Sequence, residues 1–338
     1  MSGACCTPGG SRDGAGRPAG LRTPAESGEV RREDLPPLVT IPGATFLMGS
    51  EAPEVNRGDG EGPVREVTVD AFQIGRHAVT NREFAEFVAA TGYQTGADRF
   101  GWSFVFAGFL PAHLRRGAQR PAAAPWWCRV DGANWRYPEG PGSNIDHRWD
   151  HPVVHVDHDD ATAYCAWAGL RLPTEAEWER AARGGLEQAT YAWGEELTPA
   201  GEHRCNIWQG QFPFRNTAED GFRGTAPAES FPPNGFGLHN VAGNVWEWCA
   251  DRWTTRHDPA PTHNPTGPEL GSSRVMRGGS YLCHISYCNR YRVSARTSNN
   301  PDSAAGNLGF RVARGLWPSI RDESQSRRAR EPRRARSR

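Results

Sequence analysis

Lysine is missing from this sequence: all 39 of its basic residues are arginine. That absence excludes Walker-type phosphate loops, Schiff-base chemistry and lysine general bases. Long apolar runs are missing as well. The longest, Phe104–Leu110, falls far short of the ~20 residues that cross a bilayer, so no membrane partner is expected. The stretch Met1–Cys6 has no apolar core of a secretory signal. Eight cysteines, at 5, 6, 128, 165, 205, 249, 283 and 288, are too few and too scattered over 338 residues to form a disulfide scaffold. A cytoplasmic, reducing location is the expectation. Net charge is zero but uneven: residues 37–316 carry 26 arginines against 31 acids, and residues 317–338 carry eight against three. The body therefore lacks a nucleic-acid footprint, and no nucleic-acid partner is expected.

Glycine (39) and proline (27) make up about a fifth of the chain, against roughly 12% in average proteins. Such a composition favours loops over long helices. Residues 1–36 read as a disordered leader and residues 317–338 as a disordered arginine-rich tail. The 280 residues between them are near the upper size of one core. Strand signals open that body, over Leu38–Met48 and Val67–Ile74. Thr80 and Glu83 have capping-box spacing ahead of a helix carrying Phe84, Phe87 and Val88, and Gly92 ends it. A second helix is expected from Asp159 or Asp160 to Gly169. Thr174 and Glu177 cap a third. From Tyr191 to Phe310 helical periodicity is almost absent, so bound cations are candidates for holding that backbone. The class is α+β.

Three constellations carry candidate chemistry. Cys283 and Cys288 are five apart, a spacing that neither an ideal helix nor a flat strand brings together. Only a turn or bulge lets their thiols converge, as a redox or soft-metal pair; two separate core cysteines are the alternative. Zinc normally takes four ligands and no second close pair lies in the body, so two thiolates suit Cu(I) better. His151, His155 and His158 are interleaved with Asp150, Asp157, Asp159 and Asp160. Helix capping and structural hydrogen bonds explain this group better than a metal does. Finally, Asn206–Phe222 and Asn240–Glu247 hold oxygen ligands of the kinds calcium takes, although Asn/Asp/Gly clusters are most often ordinary turns.

The segments Thr40–Gly43 with Met48–Gly49, His151–Val156, Leu172–Trp178, Gly243–Trp248, Arg277–Ser280 and Asn307–Arg311 together resemble the formylglycine-generating enzymes, or sulfatase-modifying factors. The likeness covers about residues 37–315. Gly278–Arg292, with both cysteines, is similar to the active-site segment of the catalytic members. The resemblance implies a single compact domain of the sulfatase-modifying-factor, C-type-lectin-like fold with little regular secondary structure. It implies an oxidase that converts the cysteine of a C-x-P-x-R motif in a nascent sulfatase to Cα-formylglycine, using O2 and an electron donor. Cys283 and Cys288 would hold Cu(I). One calcium would sit on Asn206, the Ile207 carbonyl, Asp220 and the Phe222 carbonyl. A second would sit on Asn240, the Gly243 and Val245 carbonyls and Glu247. Ser280 and Trp246 are candidates for lining the oxygen or substrate pocket. Arg290 and Arg296 are candidate polar anchors, with a structural ion pair as the equal alternative.

One departure matters. Secretory members carry structural disulfides whose cysteines would fall at Cys165, Ala182, Val293 and Val312, and only the first is cysteine here. Two rival functions remain. An iron-dependent sulfoxide synthase of this superfamily needs a three-histidine site and an added helical domain, for which 36 leading residues leave no room. A non-catalytic module binding protein or glycan would need neither Cys283 nor Cys288, yet both are present.

Overall fold

The structure, a computed structural model, describes residues 35–316 and the single residue Pro8. Apart from Pro8, Leu35 and Pro36, the expected leader and tail lie outside the described residues. Strands β1 (Leu38–Ile41), β2 (Ala44–Met48), β3 (Arg65–Val69) and β4 (Phe72–Gly75) come first. Each expected long strand is thus broken in two. Pro42 removes a ladder donor in the first, and the second breaks at Asp70–Ala71. Helices α1 (Asn81–Thr91) and α2 (Gly96–Phe100) lead into β5 (Trp102–Phe106), α3 (Ala112–Gly117) and β6 (Trp127–Asp131). Helices α4 (His158–Trp167) and α5 (Glu175–Ala182) follow. Beyond them the described backbone holds one 3-10 turn (Pro199–Gly201) and short strands: β7 (Gly210–Gln211), β8 (Arg215–Asn216), β9 (Trp246–Arg252), β10 (Thr262–His263), β11 (Arg274–Arg277), β12 (Arg296–Asn299), β13 (Leu308–Phe310) and β14 (Ala313–Gly315). The fold is α+β with much irregular backbone, as the composition indicates.

The caps explain the helix boundaries. Thr80 and Glu83 form a reciprocal capping box at α1, and Gly92 ends the helix in the left-handed region. Thr174 and Glu177 do the same at α5. Helix α4 starts earlier than expected, at His158, because Asp157 is its N-cap and Asp160 completes the box. Phe84, Phe87 and Tyr164 pack together on α1 and α4. They belong to the main core, which also takes in Trp127, Trp246 and Trp248.

The sheet that positions the site has the order β12-β11-β9-β13. Strand β9 pairs antiparallel with β11 and parallel with β13. The segment 278–295 links β11 to β12, and its two ends are cross-strand partners, Arg277 opposite Arg296. Both arginines reach the same carboxylate on α5. Arg277 Nη1 donates to Glu175 Oε1 at 3.1 Å. Arg296 forks onto Glu175, with Nε to Oε1 at 2.6 Å and Nη2 to Oε2 at 2.7 Å. Arg277 also donates to Glu179 at 2.5 Å, and Glu179 takes Arg183 at 2.6 Å. Arg277, Arg296, Glu175 and Glu179 are all buried, none more than 5% exposed. Burial alone pushes the Glu175 carboxyl up, but the two guanidiniums overcome it and hold its pKa at about 2.

Two outcomes follow for stability. Glu175→Gln leaves Arg277 and Arg296 short of a counter-charge, and breaking a buried pair this way costs about 3–5 kcal/mol; the urea midpoint should fall accordingly. Asp251 behaves oppositely. Its Oδ2 accepts the Glu175 N–H at 2.7 Å, and burial, then the nearby Glu175 charge, raises its pKa from 3.8 to about 7. Between those pH values the native state binds more protons than the unfolded chain, so this group lowers stability as pH rises from 3.8 to 7. Asp251→Asn keeps an acceptor oxygen and removes the ionisation. The variant should be more stable than the parent at pH 8, by on the order of a few kcal/mol, and no more stable at pH 4. Thermal melts at the two pH values check this.

Candidate functional site: a buried sulfur pair on a clamped loop

The loop 278–295 opens on two glycines with positive φ, Gly278 and Gly279. A Cβ at Gly279 would lie 2.8 Å from the Arg290 carbonyl oxygen, so only glycine lets the outgoing and returning legs approach this closely. The loop then turns twice. Cys283 N–H donates to the Ser280 carbonyl at 2.9 Å, and Cys288 N–H donates to the His284 carbonyl at 2.8 Å. These two turns bring the sulfurs of Cys283 and Cys288 to 3.3 Å, well beyond the ~2.05 Å of a disulfide. Both are buried. The two thiols therefore converge through a turn, and the alternative of two separate core cysteines is not what the structure shows.

Ser280 touches the pair directly: its N–H donates to Cys283 Sγ at 3.4 Å, a contact that favours thiolate over thiol. Asn307, just before β13, donates to Ser280 Oγ at 2.9 Å. Trp208 N–H donates to the Cys283 carbonyl at 3.0 Å. An aromatic wall stands alongside, with Tyr287 stacked on Phe212 at 4.1 Å and Trp126 edge-on to both. The wall and Asn307 carry no motif signal for this role. Only the adjacent aromatics Trp126 and Trp127 and the run Asn307–Arg311 mark them in the sequence.

The other sequence candidates divide. Trp246 is fully buried in the main core, and its indole N–H finds no acceptor among the described residues; it does not line an open groove. For Arg296 the ion-pair alternative is the one present in the structure. Besides Glu175 it donates to the Asp59 and Thr254 carbonyls and lies 4.2 Å from the Trp253 ring centroid. Arg290 Nε pairs with Asp59 at 2.6 Å. Burial raises the Asp59 pKa, and Arg290 opposes that shift. Next to it Arg292 forks onto Glu61 at 2.7 Å through both terminal nitrogens. The returning leg of the loop is thus tied to residues 59–61.

Both oxygen-rich segments are held against this loop. Gly243 N–H donates to the Gly278 carbonyl, Tyr281 N–H to the Asn244 carbonyl, and Asn244 N–H to the Asn206 carbonyl. Gly243 has φ +73°, and a Cβ there would sit 2.2 Å from the Asn206 carbonyl oxygen. Asn206 Oδ1 and Asn240 Oδ1 are buried with no partner among the described residues. In the first segment, Gln209 Nε2 donates to the Ile207 carbonyl at 2.5 Å and to Asp220 Oδ2 at 2.9 Å, so those two oxygens converge. In the second, Glu247 Oε2 accepts from Trp178 at 2.7 Å and Arg311 Nε at 3.0 Å, and Oε1 accepts from Arg311 Nη2 at 2.9 Å. One lone pair on Oε1 is left for a cation.

The histidines serve structure: His151 bonds Thr225, His155 bonds Ser103, and His158 bonds the Cys249 carbonyl. Among the described residues no three His, Cys, Asp or Glu side chains cluster as a metal site. Burial raises the thiol pKa of Cys128, Cys165, Cys205 and Cys249, so these four are poor nucleophiles.

Residues 23–316 match the sulfatase-modifying factor enzyme 1-like domain family. A formylglycine-generating enzyme of Thermomonospora curvata is 61% identical over 284 residues, covering 82% of this chain and 92% of that one. That of Bos taurus is 56% identical over 283 residues, covering 83% and 75%. A Mus musculus relative named inactive C-alpha-formylglycine-generating enzyme 2 is 49% identical over 281 residues, covering 82% and 85%. The solved structure of PvdO from Pseudomonas aeruginosa superposes with a TM-score of 0.63 at 28% identity, covering 86% of this chain and 100% of that one. With that match spanning nearly all the described residues and both site cysteines in place, the chain belongs to the sulfatase-modifying factor enzyme 1-like domain family.

Proposed function

We propose that this protein activates sulfatases by oxidising the cysteine of a C-x-P-x-R segment to Cα-formylglycine, with O2 as oxidant. The observation that carries this reading is the pair of buried sulfurs 3.3 Å apart on a loop pinned at both ends. Relatives named for this reaction, in a bacterium and a mammal, support it. The relative named as inactive keeps a second reading open, a non-catalytic module binding protein or glycan. The paired sulfurs favour the enzyme, since binding alone needs neither thiol.

The donor set fits copper. Two soft sulfurs with no third ligand cluster among the described residues suit Cu(I) better than zinc, which takes four ligands. Bound by Cys283 and Cys288, Cu(I) would supply one-electron chemistry with O2. The chain's own residues do the rest. The Ser280 N–H favours the Cys283 thiolate. Asn307 fixes the Ser280 hydroxyl, and the wall of Trp126, Phe212 and Tyr287 excludes water from the substrate thiol. The overall change balances as substrate CH2–SH, O2, two electrons and two protons giving aldehyde, hydrogen sulfide and water. An external thiol or similar donor supplies the electrons. The orphaned oxygens of Asn206 and Asn240 support two calcium ions, on Asn206, Ile207, Asp220 and Phe222 and on Asn240, Gly243, Val245 and Glu247. The free thiols of Cys128, Cys165, Cys205 and Cys249 are compatible with a cytoplasmic location.

Cys283→Ala and Cys288→Ala should each abolish conversion of a C-x-P-x-R peptide, followed by mass spectrometry with Cu(I), O2 and reductant. Cys128→Ala, Cys165→Ala and Cys249→Ala should retain it. Near-normal turnover in Cys283→Ala would sink the sulfur-pair assignment. For calcium, a ligand held only by the native state adds roughly 2.7 kcal/mol at a hundredfold excess over Kd. The parent should therefore melt lower with chelator, and Asn240→Ala or Asp220→Ala should lose part of that response. A melting temperature indifferent to chelator would count against both sites.

A further inference from the structure

The reading above consumes two electrons for every client cysteine, so a donor must approach the sulfur pair by a route the client does not fill. A hollow of about 240 Å³ adjoins the cysteine loop, lined in part by His203, Arg204, Cys205, Trp208, His284 and Tyr291. The aromatic wall of Trp126, Phe212 and Tyr287 does not border it. Trp208 ties the hollow to the loop, its backbone N–H donating to the Cys283 carbonyl at 3.0 Å. Tyr291 ties it to the sulfurs. Burial, then the neighbouring Tyr191, Cys283, Cys205 and Cys288, raises the pKa of its phenol, which therefore lies within electrostatic reach of both site cysteines.

Size and lining select the occupant. Ligand pockets usually measure roughly 300–1,000 Å³, so this smaller space admits a small molecule and excludes a folded donor protein. The residues that line it include no carboxylate. Arg204 makes no hydrogen bond among the described residues, and its ion pair is with Glu202 at 3.7 Å, a carboxylate 73% exposed. Such a surface pair is worth little, which leaves the guanidinium available to an anion. His284 Nδ1 accepts the Ser286 N–H at 3.2 Å, so the neutral ring carries its proton on Nε2 and keeps that donor uncommitted. Burial raises the Cys205 thiol pKa, so Cys205 stays protonated and gives the hollow an uncharged floor.

We propose that this hollow seats the electron donor, a small thiol bearing a carboxylate, with the carboxylate on Arg204 and the sulfur turned toward Tyr291. This rests on the functional reading above and names the class of donor it needs. Two donor thiols close to one disulfide and release two electrons and two protons. The first donor sulfur gives up one electron and becomes a thiyl. A second donor thiolate adds to it, and the disulfide radical anion so formed gives up the other electron. Both electrons pass to the Cys283–Cys288 centre, where O2 is reduced as the client cysteine yields aldehyde, hydrogen sulfide and water. A guanidinium–carboxylate contact is charge-assisted, enough for about a tenfold preference over a neutral thiol of the same size.

Mercaptoacetate and 2-mercaptoethanol, matched in size and different in charge, test this with the full chain, Cu(I), O2 and a C-x-P-x-R peptide. KM for mercaptoacetate should lie about tenfold below that for 2-mercaptoethanol. Arg204→Gln should bring the two KM values together, and Arg204→Lys should restore part of the gap. A second measurement needs no turnover. Methylthioacetate keeps the carboxylate and lacks a free thiol; it is titrated into the metal-free protein and followed by ligand-observed NMR. It should bind the parent, bind Arg204→Gln about tenfold more weakly, and stay bound when saturating C-x-P-x-R peptide is added. Equal KM values for the two thiols in the parent would overturn the proposal, as would an undiminished gap in Arg204→Gln. Displacement of methylthioacetate by the peptide would also overturn it, by giving the hollow to the client. The two readings fail separately. Methylthioacetate binding without peptide conversion would refute only the enzyme, and conversion without methylthioacetate binding would refute only the donor site.

Discussion

A single carboxylate governs the architecture of the site. Glu175 receives Arg277 and Arg296 from opposite ends of the same loop, and everything between those ends inherits its position. Each guanidinium presents a planar fork matched to a carboxylate and never gives up its charge. A lysine ammonium offers neither property. The arginine-only composition is thus visible in the architecture: Arg277, Arg296 and Arg311 are each enclosed by oxygen acceptors in the interior. Taking such charges out of water is costly unless the geometry is well satisfied. Here carboxylates and backbone carbonyls satisfy it together.

A second layer of support runs sideways. The backbone of 240–247 hydrogen-bonds both to the start of the cysteine loop and to Asn206. Glu247 sits in β9 and is held by Arg311 and Trp178. Trp178 in turn lies under the Arg277 guanidinium, 5.1 Å from it. Strand, helix and loop therefore meet in one continuous set of polar contacts, and a cation at either oxygen-rich segment would stiffen backbone that touches Gly278 and Tyr281. Irregular backbone is tolerated here because its polar groups are paired one by one.

Local features of this design were legible in the sequence. The capping boxes at Thr80 and Thr174 mark their helices because side chain and backbone pair within three residues. The cysteine spacing required a turn, and the turn is there. Longer-range features were not. Strand β9 has consecutive buried residues on both faces, Trp246 to Cys249, so it shows no alternation to read. The start of α4 was misplaced because three aspartates compete for one cap. Pairings such as Arg292 with Glu61 and Arg290 with Asp59 join residues 231 apart, and no local pattern encodes a partner at that distance. For the same reason, Arg296 could not be told from a substrate anchor by sequence.

Those distant pairings also set an order of events during synthesis. Strand β4 lies between β1 and β14, the first and last described strands, and the cysteine loop is tied to residues 59–61 at one side and to Asn307 at another. A ribosome emits these pieces far apart in time. Until β13 and β14 emerge, the sheet lacks an outer member, the loop lacks its Asn307 brace, and the sulfurs have no fixed separation. Contacts of such long sequence range form late and slowly. The sulfur pair is therefore assembled only when nearly all the domain has been made.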